Sequence, residues 1–200
     1  MHRDIPDFTI GMVGRITEAK GHHILLAALA KLDSSIRVLF VGAPAPGNRQ
    51  DSSYLQSLRS MAGANVEWAG YHPDPTPYYS AIDVLVVAST GEEGMPLVVI
   101  EAFQRGIPVV ASRLGGLPEI VKDGVNGFLV APGDPEELAR ALDRLARDPQ
   151  LLARLGAGAR ASIDERFSKA AYCSAIESLI SELCVCRSLA AVPALPESEG

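Results

Sequence analysis

Short apolar runs rich in valine and isoleucine alternate along this chain with longer segments whose apolar positions recur every three or four residues. The runs are Phe8 to Gly14, Val38 to Gly42, Val66 to Gly70, Val84 to Ser89, Pro108 to Ser112 and Gly127 to Val130, each closed by a small residue or a turn. Runs of this length and composition predict strands of a parallel sheet covered on both faces by crossover helices. Between them, Gly21 to Leu32 places Ile24, Leu25, Ala28, Leu29 and Leu32 on one face of a helix. Tyr54 to Met61, Pro77 to Ile82, Pro96 to Arg105, Pro118 to Lys122 and Pro135 to Arg147 are predicted helices. Several carry proline in the first turn, where its missing N–H costs nothing. After Asp148-Pro149 the strands stop, and helices are expected over Leu151 to Ala161 and Lys169 to Leu183. Ala43 to Ser53, with two prolines and a glycine, is expected as a surface loop, and Ala190 to Gly200 as a loose tail. The predicted fold class is α/β: a single Rossmann-like, doubly wound parallel sheet of about six strands with C-terminal helices.

Composition narrows this picture. With 200 residues, 48% apolar and 21% charged, the chain can bury one sizeable core but is short for two. One domain over residues 1–185 is expected, with residues 186–200 as the tail. A formal net charge of −6 supplies no broad basic field, so nucleic acid is not an expected partner and any phosphate ligand must be held by local positive groups. Cys173, Cys184 and Cys186 are odd in number and lack the paired spacing of a zinc site, which reads as reduced thiols. The first residues, MHRDIPDFTIGMVG, carry charges where a signal peptide needs an apolar run, and no run reaches the roughly 18 apolar residues of a membrane span. A cytoplasmic location is expected, with association at the inner face of a membrane left open.

In a doubly wound sheet the ligand lies beyond the carboxyl ends of the strands, so the residues that follow each strand are the first candidates for chemistry. After the first strand come Gly14-Arg15 and then Lys20-Gly21; after the fourth, Glu92-Glu93-Gly94-Met95-Pro96; after the fifth, Arg113-Leu114-Gly115-Gly116. Gly94 permits close backbone approach, and Pro96 opens a helix whose first N–H groups lack intrahelical partners and so form an anion site. Pro96 itself has no N–H, which leaves Met95, Leu97 and Val98 as backbone donors. Glu101 falls roughly one and a half turns into that helix, placed to accept two vicinal ribose hydroxyls of a nucleotide whose phosphates sit at the helix end. Arg15 and Lys20 bracket the turn after the first strand and could clamp a diphosphate, one as a fork and one as a point charge. The pair Gly115-Gly116 allows a substrate to lie against bare backbone. Each residue alone also has an ordinary structural explanation: a first-turn acid favoured by the helix dipole for Glu93, a solvated face for Glu101, an exposed turn for Arg15 and Lys20.

GRITEAKG (Gly14 to Gly21), EGMPLVVIE (Glu93 to Glu101), SRLGGLPEIV (Ser112 to Val121) and DGVNGFLV (Asp123 to Val130) occur together in this order. The set resembles the C-terminal, donor-binding domain of the group 1 retaining glycosyltransferases of GT-B fold, the family that includes glycogen and sucrose-phosphate synthases. The resemblance runs from about Phe8 to Phe167, and the ordered combination is more specific than any member of it. It implies half of a GT-B fold and a transferase whose donor is a nucleotide-diphosphate sugar, with no other cofactor. It also implies that Arg15 and Lys20 neutralise the diphosphate and that Glu93 lies near the transferred sugar. Glu101 would bind the ribose, and Gly94, Met95, Pro96 and Leu97 would surround sugar and phosphates. VEWAGYHPDPTPYYSAIDVLVVAS is similar to the family's base-binding region, which implies backbone contacts to the nucleobase near Tyr71 and His72. No Asp-x-Asp site and no His/Cys cluster with ligand spacing is present, so no metal is expected. His22, His23 and His72 fall near the same edge and receive no catalytic role.

The family's enzymes carry a second, N-terminal domain that supplies most of the acceptor site, which this chain does not resemble. A separate acceptor domain and an acceptor of glycan, lipid or small-molecule type are therefore expected, with low transfer by this chain alone. The competing reading is a non-catalytic nucleotide-binding or interaction module of the same fold. Dehydrogenase, P-loop and receiver signatures are absent after the first strand.

Overall fold

The computed structural model of the chain describes residues 8–91, 93–163 and 169–189, and the side chains of 172–183 within the last segment. Every apolar run expected as a strand is one: β1 (Thr9–Val13), β2 (Arg37–Val41), β3 (Val66–Gly70), β4 (Val84–Val87), β5 (Val109–Ser112) and β6 (Gly127–Val130). All pair in parallel in the order β3-β2-β1-β4-β5-β6. The chain works outward from β1 to β3 and then returns to lay β4 on the other side of β1. That reversal leaves a crevice between the carboxyl ends of β1 and β4, the place where such sheets bind ligands.

The connecting helices are α1 (His22–Leu29), α2 (Arg49–Met61), α3 (Thr76–Tyr79), α4 (Leu97–Gln104), α5 (Leu117–Ile120), α6 (Pro135–Arg147) and α7 (Pro149–Ala161). Successive strand residues point to opposite faces, and both faces are apolar here. Ile10, Met12, Val38, Phe40, Val84 and Val86 join Leu25 and Leu29 of α1 and Leu138 and Leu142 of α6 in one core cluster. On the other face Leu39, Val41, Leu85, Val87, Val109 and Ala111 are buried, and α4 packs on β5 and α7 through its own buried Val99, Ala102 and Phe103. Each fully buried side chain of this size contributes about 1.5–3 kcal/mol, so α4 is fixed to the sheet from beneath while its first turn faces the crevice.

Three local features differ from the sequence expectation. Helix α2 begins at Arg49, not Tyr54, because Asn48 caps it: its side-chain oxygen accepts from Asp51 N at 3.1 Å and its amide donates to the Asp51 carboxylate at 2.9 Å. The loop expected over residues 43–53 is shortened accordingly. A single 3-10 turn, Glu18–Lys20, precedes α1. Pro96 is the cap of α4 in an extended conformation, with Leu97 the first helical residue.

Helix α8 (Lys169–Leu189) is a unit by itself. It includes residues 186–189, which were expected in the tail, while residues 190–200 lie outside the described residues, as do Glu92 and the side chains of Cys184 and Cys186. Cys173 is exposed and free. No helix among the described residues is long and apolar enough to cross a membrane.

Candidate functional site

The crevice at the carboxyl end of β1 opens into a cleft of about 470 Å³. Its walls bring together Gly14, Arg15, Tyr71, His72, Val98 and Glu101, six of the residues singled out from the sequence, with Val41 to Pro46 forming an apolar rim after β2. A small recess of about 20 Å³ adjoins it, sharing Gly14, Arg15 and Val98 and adding Lys20, His22, Ser89 and Pro96. Another cavity of about 520 Å³ lies at the opposite edge of the sheet, among Thr9, Arg37 and Asn65, and contains none of the candidate residues.

Lys20 and Glu93 come from segments far apart in sequence and are joined directly. Thr90 N and Gly91 N both donate to Ala19 O, at 2.8 and 3.3 Å, so the loop after β4 is sewn to the 3-10 turn before α1. Lys20 Nζ then forms an ion pair with Glu93 Oε1. Ser89 Oγ donates to the same oxygen at 2.5 Å. The Glu93 side chain is only 9% exposed, against 33% for Lys20. A carboxylate that far from water requires such partners. Arg15 is exposed, and no ion pair engages it among the described residues.

The start of α4 carries the free donors. Val99 N donates to Pro96 O at 3.1 Å, while the N–H groups of Leu97 and Val98 precede the first residue that can have an intrahelical acceptor. Met95 and Leu97 expose 48% and 69% of their surface, and Tyr71 exposes 71%, unusual values for apolar side chains clustered at one sheet edge. Glu101 stands one turn inside α4. Its carboxylate accepts from Tyr79 Oη at 2.6 Å. Burial, followed by that hydrogen bond, pushes the Tyr79 hydroxyl well above its ordinary pKa and keeps it a donor.

Gly115 and Gly116 meet something other than open space. A Cβ on Gly115 would fall 2.0 Å from Glu93 O and one on Gly116 2.5 Å from Gly94 O, and Gly116 N donates to Glu93 O at 3.0 Å. The Glu93–Gly94 backbone packs on the side of the pair where a side chain would project, while Gly115 itself stays exposed and Gly116 half-buried. The pair thus holds the loop that carries Glu93, a contact that sequence reasoning did not anticipate.

Two histidines have settled surroundings. His72 is hydrogen-bonded through Nε2 to Ala69 O at 3.0 Å and to Tyr78 Oη. His22 is buried against Phe40, with ring centroids 5.2 Å apart, and its Nδ1 has no hydrogen-bond partner among the described residues. Burial lowers its pKa to about 4, opposed by a hydrogen bond to the Thr17 backbone and assisted by the charges of His23 and Lys20. His22 is therefore neutral near pH 7. No group of three or more potential metal-ligating side chains occurs among the described residues. Sequence reasoning missed Ser89 and Tyr79: Ser89 lies four residues before Glu93 in the same loop and Tyr79 on the helix before β4, and only the fold shows which oxygen each one meets.

Comparison with known proteins bears on this arrangement. The model of the family "Glycosyl transferases group 1" matches residues 3–162. The chain belongs to this family. Among its curated relatives, the D-inositol 3-phosphate glycosyltransferase of Streptomyces griseus is 41% identical over 160 residues, covering 74% of this chain and 34% of the relative. The lipopolysaccharide core biosynthesis glycosyltransferase LpsE of Rhizobium meliloti is 30% identical over 169 residues, covering 84% and 48%. Among solved structures, HepE of Anabaena in complex with UDP-glucose superposes with a TM-score of 0.82 at 31% identity, covering 88% of this chain and 49% of HepE. This group 1 chain thus spans about a third to a half of these three relatives, and it has the Rossmann-like fold of one half, the C-terminal one, of a GT-B glycosyltransferase.

Proposed function

We propose that this chain is the donor-binding half of a retaining glycosyltransferase that takes sugar from a nucleotide-diphosphate sugar. The observation that carries the reading is the cleft at the β1/β4 switch point, where Arg15, Glu101, Tyr71 and His72 converge beside the open N-terminus of α4. In this reading the base lies in the apolar part of the cleft against the backbone near Tyr71 and His72. The ribose hydroxyls meet Glu101, and the diphosphate lies between Arg15, Lys20 and the N–H groups of Met95, Leu97 and Val98. The transferred sugar sits against Gly94, Pro96 and Glu93. Neighbouring HepE, which binds UDP-glucose, supports a ligand of this class.

Transfer breaks the bond from the sugar's anomeric carbon to the diphosphate and forms one to an acceptor oxygen. The leaving diphosphate gains negative charge, and groups already aimed at that position stabilise the transition state more than the ground state. Arg15, Lys20 and the α4 N–H groups supply that positive potential, so the reading calls for no metal ion. Lys20 is shared: its ion pair with Glu93 holds both groups at the place where phosphate and sugar meet. The acceptor, whether glycan, lipid or small molecule, is assigned to the portion of the relatives that this chain does not match. The chain alone is accordingly expected to bind donor and to transfer little.

A thermal-shift screen of the chain with UDP, GDP, ADP and their sugars tests the reading. Stabilisation by at least one, lost in both Glu101→Ala and Lys20→Ala, supports it. No stabilisation by any of them favours a non-catalytic module of the same fold.

A further inference from the structure

Glu101 reaches the cleft from the exposed side of a helix, and a glutamate there ordinarily samples several rotamers. Here it does not stand alone. Tyr79, the last residue of α3, is 1% exposed and directs its hydroxyl to Glu101 Oε2 at 2.6 Å. Arg105, just past the end of α4, lies over the Tyr79 ring with its guanidinium carbon 4.9 Å from the centroid. Arg105 also donates from Nη1 to Glu101 O at 2.7 Å and from Nη2 to Thr76 Oγ1 at 3.2 Å. The guanidinium therefore ties α3 to α4 through backbone, hydroxyl and ring, without an ion pair to the Glu101 carboxylate. Among the described residues, Tyr79 is the direct partner of that carboxylate.

We propose that Tyr79 is a positioning residue that fixes the Glu101 carboxylate for the two vicinal hydroxyls of a ribose, so that the site prefers ribonucleotides over 2′-deoxyribonucleotides. The inference rests on the proposed donor-binding function. A carboxylate has about four lone-pair sites. The Tyr79 hydroxyl uses one, on Oε2, and sets the plane of the group, which leaves Oε1 and the rest of Oε2 for O2′ and O3′. A ligand that lacks O2′ leaves one of those sites empty in a place already shaped for it, and an unpaired acceptor is what makes a hydrogen-bonding site selective. A carboxylate without Tyr79 can instead rotate to serve whichever hydroxyl remains. The ring, buried and stacked by Arg105, costs little further ordering to hold the hydroxyl in place.

The test is calorimetric titration of the full 200-residue chain with UDP and 2′-deoxy-UDP, with GDP and ADP run alongside. The native chain is expected to prefer UDP over 2′-deoxy-UDP by about ten-fold, which corresponds to about 1.4 kcal/mol. In Tyr79→Phe, which keeps the buried ring, the preference should narrow to about two- to three-fold, mainly through weaker UDP binding. In Glu101→Gln, adding Tyr79→Phe should change the ratio no further, the mark of two residues acting as one unit. Equal weakening of both nucleotides in Tyr79→Phe, or an unchanged ratio, overturns the proposal. So does a native chain that binds both nucleotides equally. Should Tyr79→Phe not fold, Arg105→Met removes the stacked guanidinium and is expected to narrow the ratio in the same direction; an unchanged ratio there overturns the proposal equally. A native chain that binds none of UDP, GDP and ADP fails at the earlier step and removes the donor-binding reading itself.

Discussion

Replacing Gly115 by alanine probes the loop that carries Glu93 without changing Arg15, Lys20, Glu93 or Glu101. Gly115 has φ +55°, a left-handed conformation that costs an alanine about 1–2 kcal/mol. Its new Cβ would stand 2.0 Å from Glu93 O; ordinary contact begins at 3.4 Å, so the two backbones must part by about 1.4 Å. Both partners are main chain and cannot rotate aside, and overpacking of this kind adds about 1–3 kcal/mol. For a domain of this size each kcal/mol lowers Tm by about 2–4 °C, so Gly115→Ala is expected to lose roughly 4–20 °C by scanning calorimetry. Gly133→Ala is the control: φ is +75° and nothing lies within 4 Å of the added Cβ, so only the backbone cost applies, roughly 2–8 °C. Because the displaced loop leads into α4, nucleotide-sugar affinity should also fall by about ten-fold or more in Gly115→Ala and stay native in Gly133→Ala. Equal Tm losses in the two variants, with native affinity in both, would refute the claim that the glycine pair positions the Glu93 loop.

Other expectations follow from the same geometry. Lys20→Met leaves the 9% exposed Glu93 carboxylate with Ser89 as its partner, so the variant should lose about 1–3 kcal/mol in urea unfolding; no loss would mean the ion pair stabilises nothing. Glu101→Gln should weaken ribonucleoside diphosphate binding by about 10- to 100-fold in calorimetry while leaving Tm within about 2 °C, since the residue is a cleft wall and not core. His22 gives a pH signature. Its folded pKa of about 4 lies below the ordinary 6.5, so the unfolded chain binds the proton first. Stability on the order of 3 kcal/mol, fully present above pH 6.5, should be lost as pH falls towards 4. In His22→Leu that part of the acid slope should vanish, and an unchanged slope would place the titration elsewhere.

How much of this was legible beforehand depended on the range of the interactions. The six strands were readable because their Val- and Ile-rich runs must be buried on both faces, and α6 was readable to the residue from Asp134-Pro135 at its start, where Asp134 accepts from Glu136 N and Glu137 N. Helix α2 was read five residues short because its first turn is polar; the signal was present in Asn48 and Asp51, a cap and its third residue. Arg15 could be placed at one sheet edge by counting residues after the first strand, Glu101 by the rise of the helix after the fourth, and Tyr71 and His72 through the family resemblance; the structure brings all four to one cleft. What could not be read was which side chain meets which. Lys20 and Glu93 pair across 73 residues of sequence and Tyr79 and Glu101 across 22, distances over which no local pattern fixes a contact. Gly115-Gly116 shows the same limit: a bare backbone is evident in the sequence, but not that the Glu93–Gly94 backbone packs against one side of it.

The central claim is that a nucleotide diphosphate binds at the β1/β4 switch point. A crystal structure of the chain with the nucleotide diphosphate that stabilises it most tests this directly. The account predicts phosphate density between Arg15, Lys20 and the Leu97–Val98 amides, with ribose hydroxyls on Glu101. Nucleotide density at the opposite edge of the sheet, among Thr9, Arg37 and Asn65, with the switch-point cleft empty, would contradict it.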